Sequence, residues 1–478
     1  PVSAEAGRAL RAPLAALAAS GVATWLVGGG IRDALMGRTV ADMDLAIAGD
    51  AAPAAAALAR AAGADRYPLS RAFGSWRITG GDLPFQVDIT PLQGPDIAAD
   101  LARRDLTVNA IALPLVPQDD GDHPVDPTGG MADLAAGRLR LVDDGALRQD
   151  PVRLLRLARL ATQLEFSVEP GTAARARADA GRLWEAPGER LAEELGRIAS
   201  LPRADLAVRG MDALGVLGAL SPELEDCRGV EQNPYHHLDA LGHTLEVVEH
   251  AVALAADPEP VFRGVAPRVS EVLARPLADG LSAREGLVLA AIFHDMAKAE
   301  TKRVLSDGRI GFMGHDIRGA EMVEDLFGRL RTSARLRDTV ALAVRRHLPL
   351  GFLVHRTPLS LRQIDRYLRS TAPAEAEIIV LTVADRLATR GARTTESAIR
   401  RHLVLAREVM AQHFALVDRG PVEPLVRGDA LARALGRTPG PWLAELVEAL
   451  REEQLVGHIT TPAQAHRFAA AWDAAHPG

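Results

Sequence analysis

Strand-like segments occupy only about the first 140 residues of this chain, and from Ala146 onward apolar residues recur at helical spacing. A small α/β or α+β head must therefore be followed by a long all-helical array. Residues 1–20 read as an amphipathic Ala/Leu helix. Thr24 to Val27 reads as a strand stopped by Gly28-Gly29-Gly30, with a helix from Ile31 to Met36. Met43 to Ile47 and Phe85 to Thr90 are further strand candidates, and Val108 to Leu115 adds another. A chain of 478 residues exceeds one comfortable core, so two to four domains are expected. Turn residues at Pro187-Gly188, Pro222, Asn233-Pro234 and Arg419-Gly420-Pro421 mark the breaks. The expected division is a head over 1–145, a helical neck and body over 146–228, a second helical domain over 229–418 and a helical tail over 419–478.

The net charge of −7 carries no global nucleic-acid signal, so any RNA contact must be a local patch. One cysteine, Cys227, excludes an internal disulfide framework and a cysteine-based zinc site. No apolar run reaches the length of a membrane span and no signal-peptide pattern opens the chain, so no membrane partner and a cytoplasmic location are expected.

The head carries a carboxylate pattern. In "ADMDLAI", Asp42 and Asp44 stand two apart, so a strand projects both to one face. In "FQVDIT", Asp88 lies on the face opposite Val87 and Ile89. If the two strands are neighbours, three carboxylates converge, which repel one another unless a cation neutralises them. Oxygen ligands of this kind suit Mg²⁺ and two-metal phosphoryl or nucleotidyl transfer. A lone D-x-D also reads as an exposed acidic strand edge. Upstream, "VGGGIRD" supplies a glycine turn (Gly28, Gly29) that can cradle phosphate, and Arg32 can add a charge-assisted contact. Downstream, "RRDLTVNA" brings Arg103, Arg104, Asp105 and Asn109 together, suited to a triphosphate and a ribose or to a surface salt-bridge cluster.

In "RQDPVRLLRLARL", Pro151 fits the first turn of a helix and Asp150 its N-cap. Asp150 and Arg153 are three apart and expected to be neighbours, while Arg156 and Arg159 continue the same spacing. Taken by itself, the pattern reads as a solvated basic face with a capping Asp. Further on, His243, His294-Asp295, His315, His347 and Asp385 recur on separate helical segments, where mixed N/O ligation of a divalent metal is plausible. Lys298, one turn after the doublet, is placed to meet a phosphate. His236, His237 and His250 read as surface residues.

The segments "LVGGGIRDALMGRTVADMDLAI", "RRDLTVNAIAL", "DPTGGMADLAAGRLRLV" and "QDPVRLLRLARLATQLEF", in this order from about residue 20 to 225, resemble the class II nucleotidyltransferases. These are the tRNA CCA-adding enzymes and bacterial poly(A) polymerases. The resemblance implies a polymerase-beta-like head in which Asp42 and Asp44 hold Mg²⁺ and Asp88 supports them. It implies that Arg32, Arg104, Asp105 and Asn109 contact the incoming nucleotide. The neck resembles the family's E-D-x-x-R motif, in which acid and arginine read the base, with Gln149 here in place of the Glu. "ERLAEEL", with Glu189, Arg190, Glu193 and Glu194, resembles a later motif that buttresses the neck. The order H…HD…H…H…D resembles the HD phosphohydrolases, implying a site for Mn²⁺, Ni²⁺, Co²⁺ or Fe²⁺ and a possible second activity on damaged RNA 3′ ends. The tail resembles that of HD-bearing members and is expected to contact tRNA.

Between Gln93 and Arg103 stands only "GPDIAADLA", where members that build all of C-C-A carry a longer flexible segment. The short form resembles the CC-adding enzymes, which take CTP and leave the terminal A to a separate A-adding enzyme. The alternatives are a full CCA-adding enzyme that also takes ATP, and a poly(A) polymerase. Outside that class stand a phosphohydrolase whose head only binds nucleotide, and an RNA-binding relic.

Overall fold

A computed structural model describes residues 4–40, 42–115 and 123–476. The chain divides into two compact units, the first formed by residues 1–198 and 206–220, the second by 199–205 and 221–478.

The first unit opens with helix α1 (Ala4–Ala18), strand β1 (Thr24–Val27), helix α2 (Gly29–Leu35) and strand β2 (Asp42–Ile47). Helix α3 (Ala51–Ala62), strands β3 (Asp65–Ser70), β4 (Ser75–Thr79) and β5 (Gln86–Pro91), helix α4 (Ile97–Leu101) and strand β6 (Ala112–Pro114) follow. The six strands form one sheet in the order β3-β4-β5-β2-β1-β6, in which only β2 and β5 pair in parallel. Alternation sorts the two faces. Met43, Leu45, Ile47, Val87 and Ile89 are buried beneath α1 and α3 with Leu17, Ala55 and Leu58. The other face packs Trp25, Val27 and Ala46 on Leu101, Ala110 and Ala112, leaving the N-terminal end of β2 open.

Two sequence expectations change here. The span 108–115 is not one strand: a 3-10 turn covers Thr107–Asn109 before β6 begins at Ala112. The buried Thr107 hydroxyl donates to Asp133 at 2.7 Å, which ties the turn in place of a ladder. The β3–β4 hairpin is an addition. After α5 (Gly130–Ala135) and α6 (Ala146–Gln149), α7 begins at Arg153 and runs to Leu164. Asp150 is therefore not its N-cap; it closes α6 in an extended conformation, and Pro151 lies in the intervening turn.

The second unit is helical apart from short two-stranded ribbons. Its helices Ala240–Ala256, Ala283–Phe293, Ala334–Arg346 and Glu375–Ala388 bury long apolar faces. The tail helices Gly428–Ala434, Pro441–Leu455 and Pro462–Ala475 share a core of Leu431, Leu446, Leu450 and Ala465. They meet the helix Leu361–Thr371 through Arg362–Glu453 at 2.6 Å and Arg366–Glu452 at 2.8 Å. No helix among the described residues is long and apolar enough to cross a membrane.

Candidate active sites

In the head, register decides the geometry. Asp44 on β2 is paired directly with Asp88 on β5, and Asp42 with Gln86. Parallel partners point to the same side, so Asp42, Asp44 and Asp88 share the open face. Burial, and then Asp42 beside it, push the Asp44 carboxyl up to about 6 despite the nearby Arg104 guanidinium. Two carboxylates on adjacent positions of one face fit a divalent cation, which would relieve the burial and repulsion that Asp44 bears. Asp88 stands differently. Arg77, opposite it on β4, donates to both its oxygens at 2.8 and 2.7 Å. Among the described residues the three head carboxylates do not form a group with all ligand atoms within 4.8 Å of one another. Sequence reasoning missed Arg77, because nothing in the primary order shows that it faces Asp88.

The glycine turn brings the backbone close to this face. Gly28 has φ +78°, and a Cβ there would stand 3.0 Å from Asp44 Oδ2 and 3.2 Å from Arg104 Nη1. Only glycine suits both the conformation and the space. Arg104 thus lies beside Asp44, also bonded to the buried Asp100 at 3.2 Å, and its Nε is buried without a partner. Arg32 is not free at the turn. It is buried and donates to Asn109 Oδ1 at 2.6 Å, while Asp33 takes its other donors. Asn109 in turn donates to Asp105, which accepts from Arg156 at 3.2 Å. Burial opposes ionisation of Asp105, but Arg156 and Asn109 hold its carboxyl below the usual range. Four expected nucleotide contacts are thereby joined in one chain from α2 to α7.

The neck differs from its expectation. Asp150 does not pair with Arg153; it accepts both bonds from Arg190, at 3.0 and 2.8 Å. Arg153 donates instead to the carbonyls of Arg103 and Ala146, each at 3.0 Å, with its Nε buried and unpartnered. The cause is the late start of α7, which removes the i, i+3 relation a continuous helix would impose. Arg159 binds Glu194, which is almost wholly buried. Glu194→Ala removes the carboxylate partner of that guanidinium, leaving it only the neutral Gln163 Oε1 at 2.6 Å, and should lower stability by about 3 kcal/mol. Thermal melting checks this, and an unchanged melting profile would contradict the buried pair.

The segment after β5 is pinned throughout. Gln93 N–H donates to the Asp100 carboxylate at 2.9 Å, and Asp96 caps α4 by accepting from Ala99 N–H at 2.8 Å. A Cβ on Gly94 would stand 2.8 Å from the Ala99 Cβ.

In the second unit, all six expected residues meet. His243, His294 and Asp295 form one group of ligand atoms within 4.8 Å, and Asp295, His315 and His347 form another. Asp295 serves both: Oδ2 lies 3.5 Å from His243 Nε2 and 3.0 Å from His294 Nε2, whereas Oδ1 lies 3.3 Å from His315 Nε2. Asp385 Oδ1 is 3.0 Å from His243 Nε2. The Nδ1 atoms of His294, His315 and His347 donate to the carbonyls of Ala291, Phe312 and Val344, which leaves each Nε2 lone pair directed inward. His294 Nε2 and Asp295 Oδ2 are buried without a hydrogen-bond partner, although close to each other. With Lys298 Nζ 2.6 Å from the same Oδ2, these inward-facing donors would hold a divalent metal, and Asp295 is the residue common to both groups. Burial, with His294 and His315 nearby, pushes the His347 imidazole down to about 4, keeping it neutral as a ligand must be. Lys298 donates to Gln232 at 2.7 Å and lies 2.6 Å from Asp295.

His236 is not a surface residue. It is half-buried, stands edge-on to His243 with ring centroids 4.8 Å apart, and burial drives its imidazole down to about 3. His402, which sequence reasoning passed over, is buried with its Nε2 unpartnered.

A carboxylate-bearing head followed by a helical neck and a second unit with a histidine–aspartate cluster defines the nucleotidyltransferase class of protein. Residues 24–140 match the Poly A polymerase head domain, 165–228 the "Probable RNA and SrmB- binding site of polymerase A", and 240–390 the HD domain. Over 460 residues the chain is 34% identical to the A-adding tRNA nucleotidyltransferase of Deinococcus radiodurans, covering 95% of this chain and 96% of that protein. It is 33% identical to the CC-adding tRNA nucleotidyltransferase of Thermus thermophilus over 93% of both. A Multifunctional CCA protein of Burkholderia mallei is 32% identical over 86% of this chain and 96% of its own length. The fold matches a CCA-adding enzyme in its apo form I with TM-score 0.66 at 19% identity, covering 98% and 95% of the two chains. The chain belongs to the tRNA nucleotidyltransferase family.

Proposed function

We propose that this chain adds two cytidines from CTP to the 3′ end of tRNA and stops there. The observation that carries the stopping point is the short segment Gln93–Ala102, pinned by Asp96 and Asp100 where a flexible lever would be needed to change base. The Thermus relative, a CC-adding enzyme, supports the same reading. In the reaction the tRNA 3′ oxygen forms a bond to the α-phosphorus of the nucleotide, the bond to the β-phosphate breaks, and pyrophosphate leaves. Asp42 and Asp44 would hold Mg²⁺, which supplies activation of the attacking hydroxyl and charge neutralisation on the triphosphate. Asp88, fixed by Arg77, supports the pair. Arg104, whose Nε is unpartnered, approaches the phosphates, and the Arg32–Asn109–Asp105–Arg156 chain shapes the sugar site. Asp150, oriented by Arg190, and Arg153 are assigned to the base edge, with Arg159 behind them.

A second reading is A-addition from ATP, which the Deinococcus relative favours. Sequencing product ends after incubation of tRNA lacking CCA, and of tRNA already ending in CC, with all four NTPs separates them. The expected product ends in two cytidines. Products extended only from transcripts already ending in CC, by one adenosine, would establish the second reading instead.

We further infer that the second unit is a metal-dependent phosphohydrolase acting on phosphate-blocked RNA 3′ ends. Its support is the double donor set around Asp295, which suits Mn²⁺, Ni²⁺, Co²⁺ or Fe²⁺. A blocked 3′ end cannot accept a nucleotide, so the two activities would act on the same terminus in sequence.

A further inference from the structure

Asp295, His315, His347 and Asp385 of the cluster line a cavity of about 750 Å³ that extends well beyond them. Part of its wall comes from the last turns of Glu375–Ala388 and the first turns of Glu396–Arg419. Arg386 follows the cluster residue Asp385 directly. Ala398, Arg401 and His402 line the cavity at i, i+3 and i+4, one face of the following helix. Arg386 Nε and His402 Nε2 are buried with no hydrogen-bond partner. Among the described residues the guanidinium groups of Arg386, Arg393 and Arg401 enter no hydrogen bond or ion pair. The buried Arg386 Nε and His402 Nε2 are costly to leave unmade and mark a place for an incoming group, and the exposed Arg393 and Arg401 stand beside them on the same cavity lining. Guanidinium groups suit phosphate above other anions because their planar donors match its oxygens. At the mouth, the rings of Tyr235 and Phe352 are exposed, 48% and 68% accessible, in position to stack on a base.

The Asp295 donor sets account for one phosphate; the arginines account for another that the cluster does not need. We propose that this cavity selects a nucleotide unit with two phosphates, the 3′ one at the histidine cluster and the 5′ one on Arg386, Arg393 and Arg401. The proposal rests on the phosphohydrolase reading for the first phosphate only. The same unit occurs in a free nucleoside 3′,5′-bisphosphate and at the 3′-phosphorylated end of an RNA strand.

Calorimetric titration of the full chain in Mn²⁺ with cytidine 3′,5′-bisphosphate and with cytidine 3′-monophosphate tests it. The bisphosphate should bind about tenfold tighter or more, as expected for added charge-assisted hydrogen bonds. Arg401→Ala and Arg386→Ala should each reduce that preference, whereas Arg400→Ala, an exposed neighbour outside the cavity, should keep it. Equal affinities in the wild type, or a preference unchanged in both variants, would overturn the proposal. Phosphate release from the bisphosphate and from an RNA tetranucleotide ending in a 3′-phosphate runs in parallel. Faster kcat/KM on the tetranucleotide identifies the RNA end as the source, and faster turnover of the bisphosphate identifies the free nucleotide. Arginine-dependent binding without release from either would sustain the two-phosphate cavity while refuting the hydrolase.

Discussion

Asp44→Asn should abolish nucleotide addition, lowering kcat about 10³-fold or more while leaving the head folded. The carboxylate is half-buried beside Asp42 and already resists ionisation at about 6, so the isosteric amide removes a charge that the fold holds at a cost. The sign follows from linkage. A carboxyl raised above its unfolded value favours the native state when protonated, and that contribution is lost as pH rises through the folded value near 6. Without Mg²⁺ the variant should therefore melt higher than the wild type at pH 7.5, with the gap closing below pH 4. Added Mg²⁺ should stabilise the wild type at pH 7.5 and do little for the variant. Melting curves with and without Mg²⁺, beside pyrophosphate release, check both halves. A variant that retains wild-type turnover would remove Asp44 from the metal-binding pair.

Asp295→Asn should have an effect of similar size in the second unit. One carboxylate oxygen faces His243 and His294, and the other faces His315. No other side chain belongs to both ligand groups. The amide offers one oxygen in place of two and no charge, so both ligand groups lose their shared carboxylate. Metal-dependent opening of cytidine 2′,3′-cyclic phosphate in Mn²⁺, Ni²⁺ or Co²⁺ should fall about 10³-fold. Metal analysis of the dialysed protein should show the loss directly, while CTP incorporation persists. Cyclic-phosphate hydrolysis equal in wild type and variant would end the phosphohydrolase reading.

The parts of this molecule legible in the sequence are those with short-range signatures. Strands β2 and β5 set the aspartates between the buried Met43 and Leu45 and between the buried Val87 and Ile89, so their faces could be assigned residue by residue. The β3–β4 hairpin could not. Asp65 to Leu69 are exposed, Pro68 interrupts the run, and no apolar alternation marks the edge strand. The partners that hold the site were hidden for a different reason. Arg77, Asp100 and Arg190 act across strand pairing or loop closure, which primary order does not display. The Asp150–Arg153 expectation failed on a boundary: it assumed helix from Pro151, and the helix begins two residues later. The histidine cluster was legible because six metal-ligating residues recurred on separate helices. Its arginine wall was not, since neither the burial of Arg386 Nε nor the shared lining of Arg386, Arg393 and Arg401 can be read from primary order.

The most direct test of the central claim uses tRNA transcripts ending at the discriminator base, after the first C, or after the second C. Each is incubated with Mg²⁺ and one α-phosphate-labelled nucleotide, and the products are resolved by length. The account predicts that labelled CTP extends the first transcript by two and the second by one, with no growth of the third. Absence of labelled extension on every transcript with every nucleotide would contradict it.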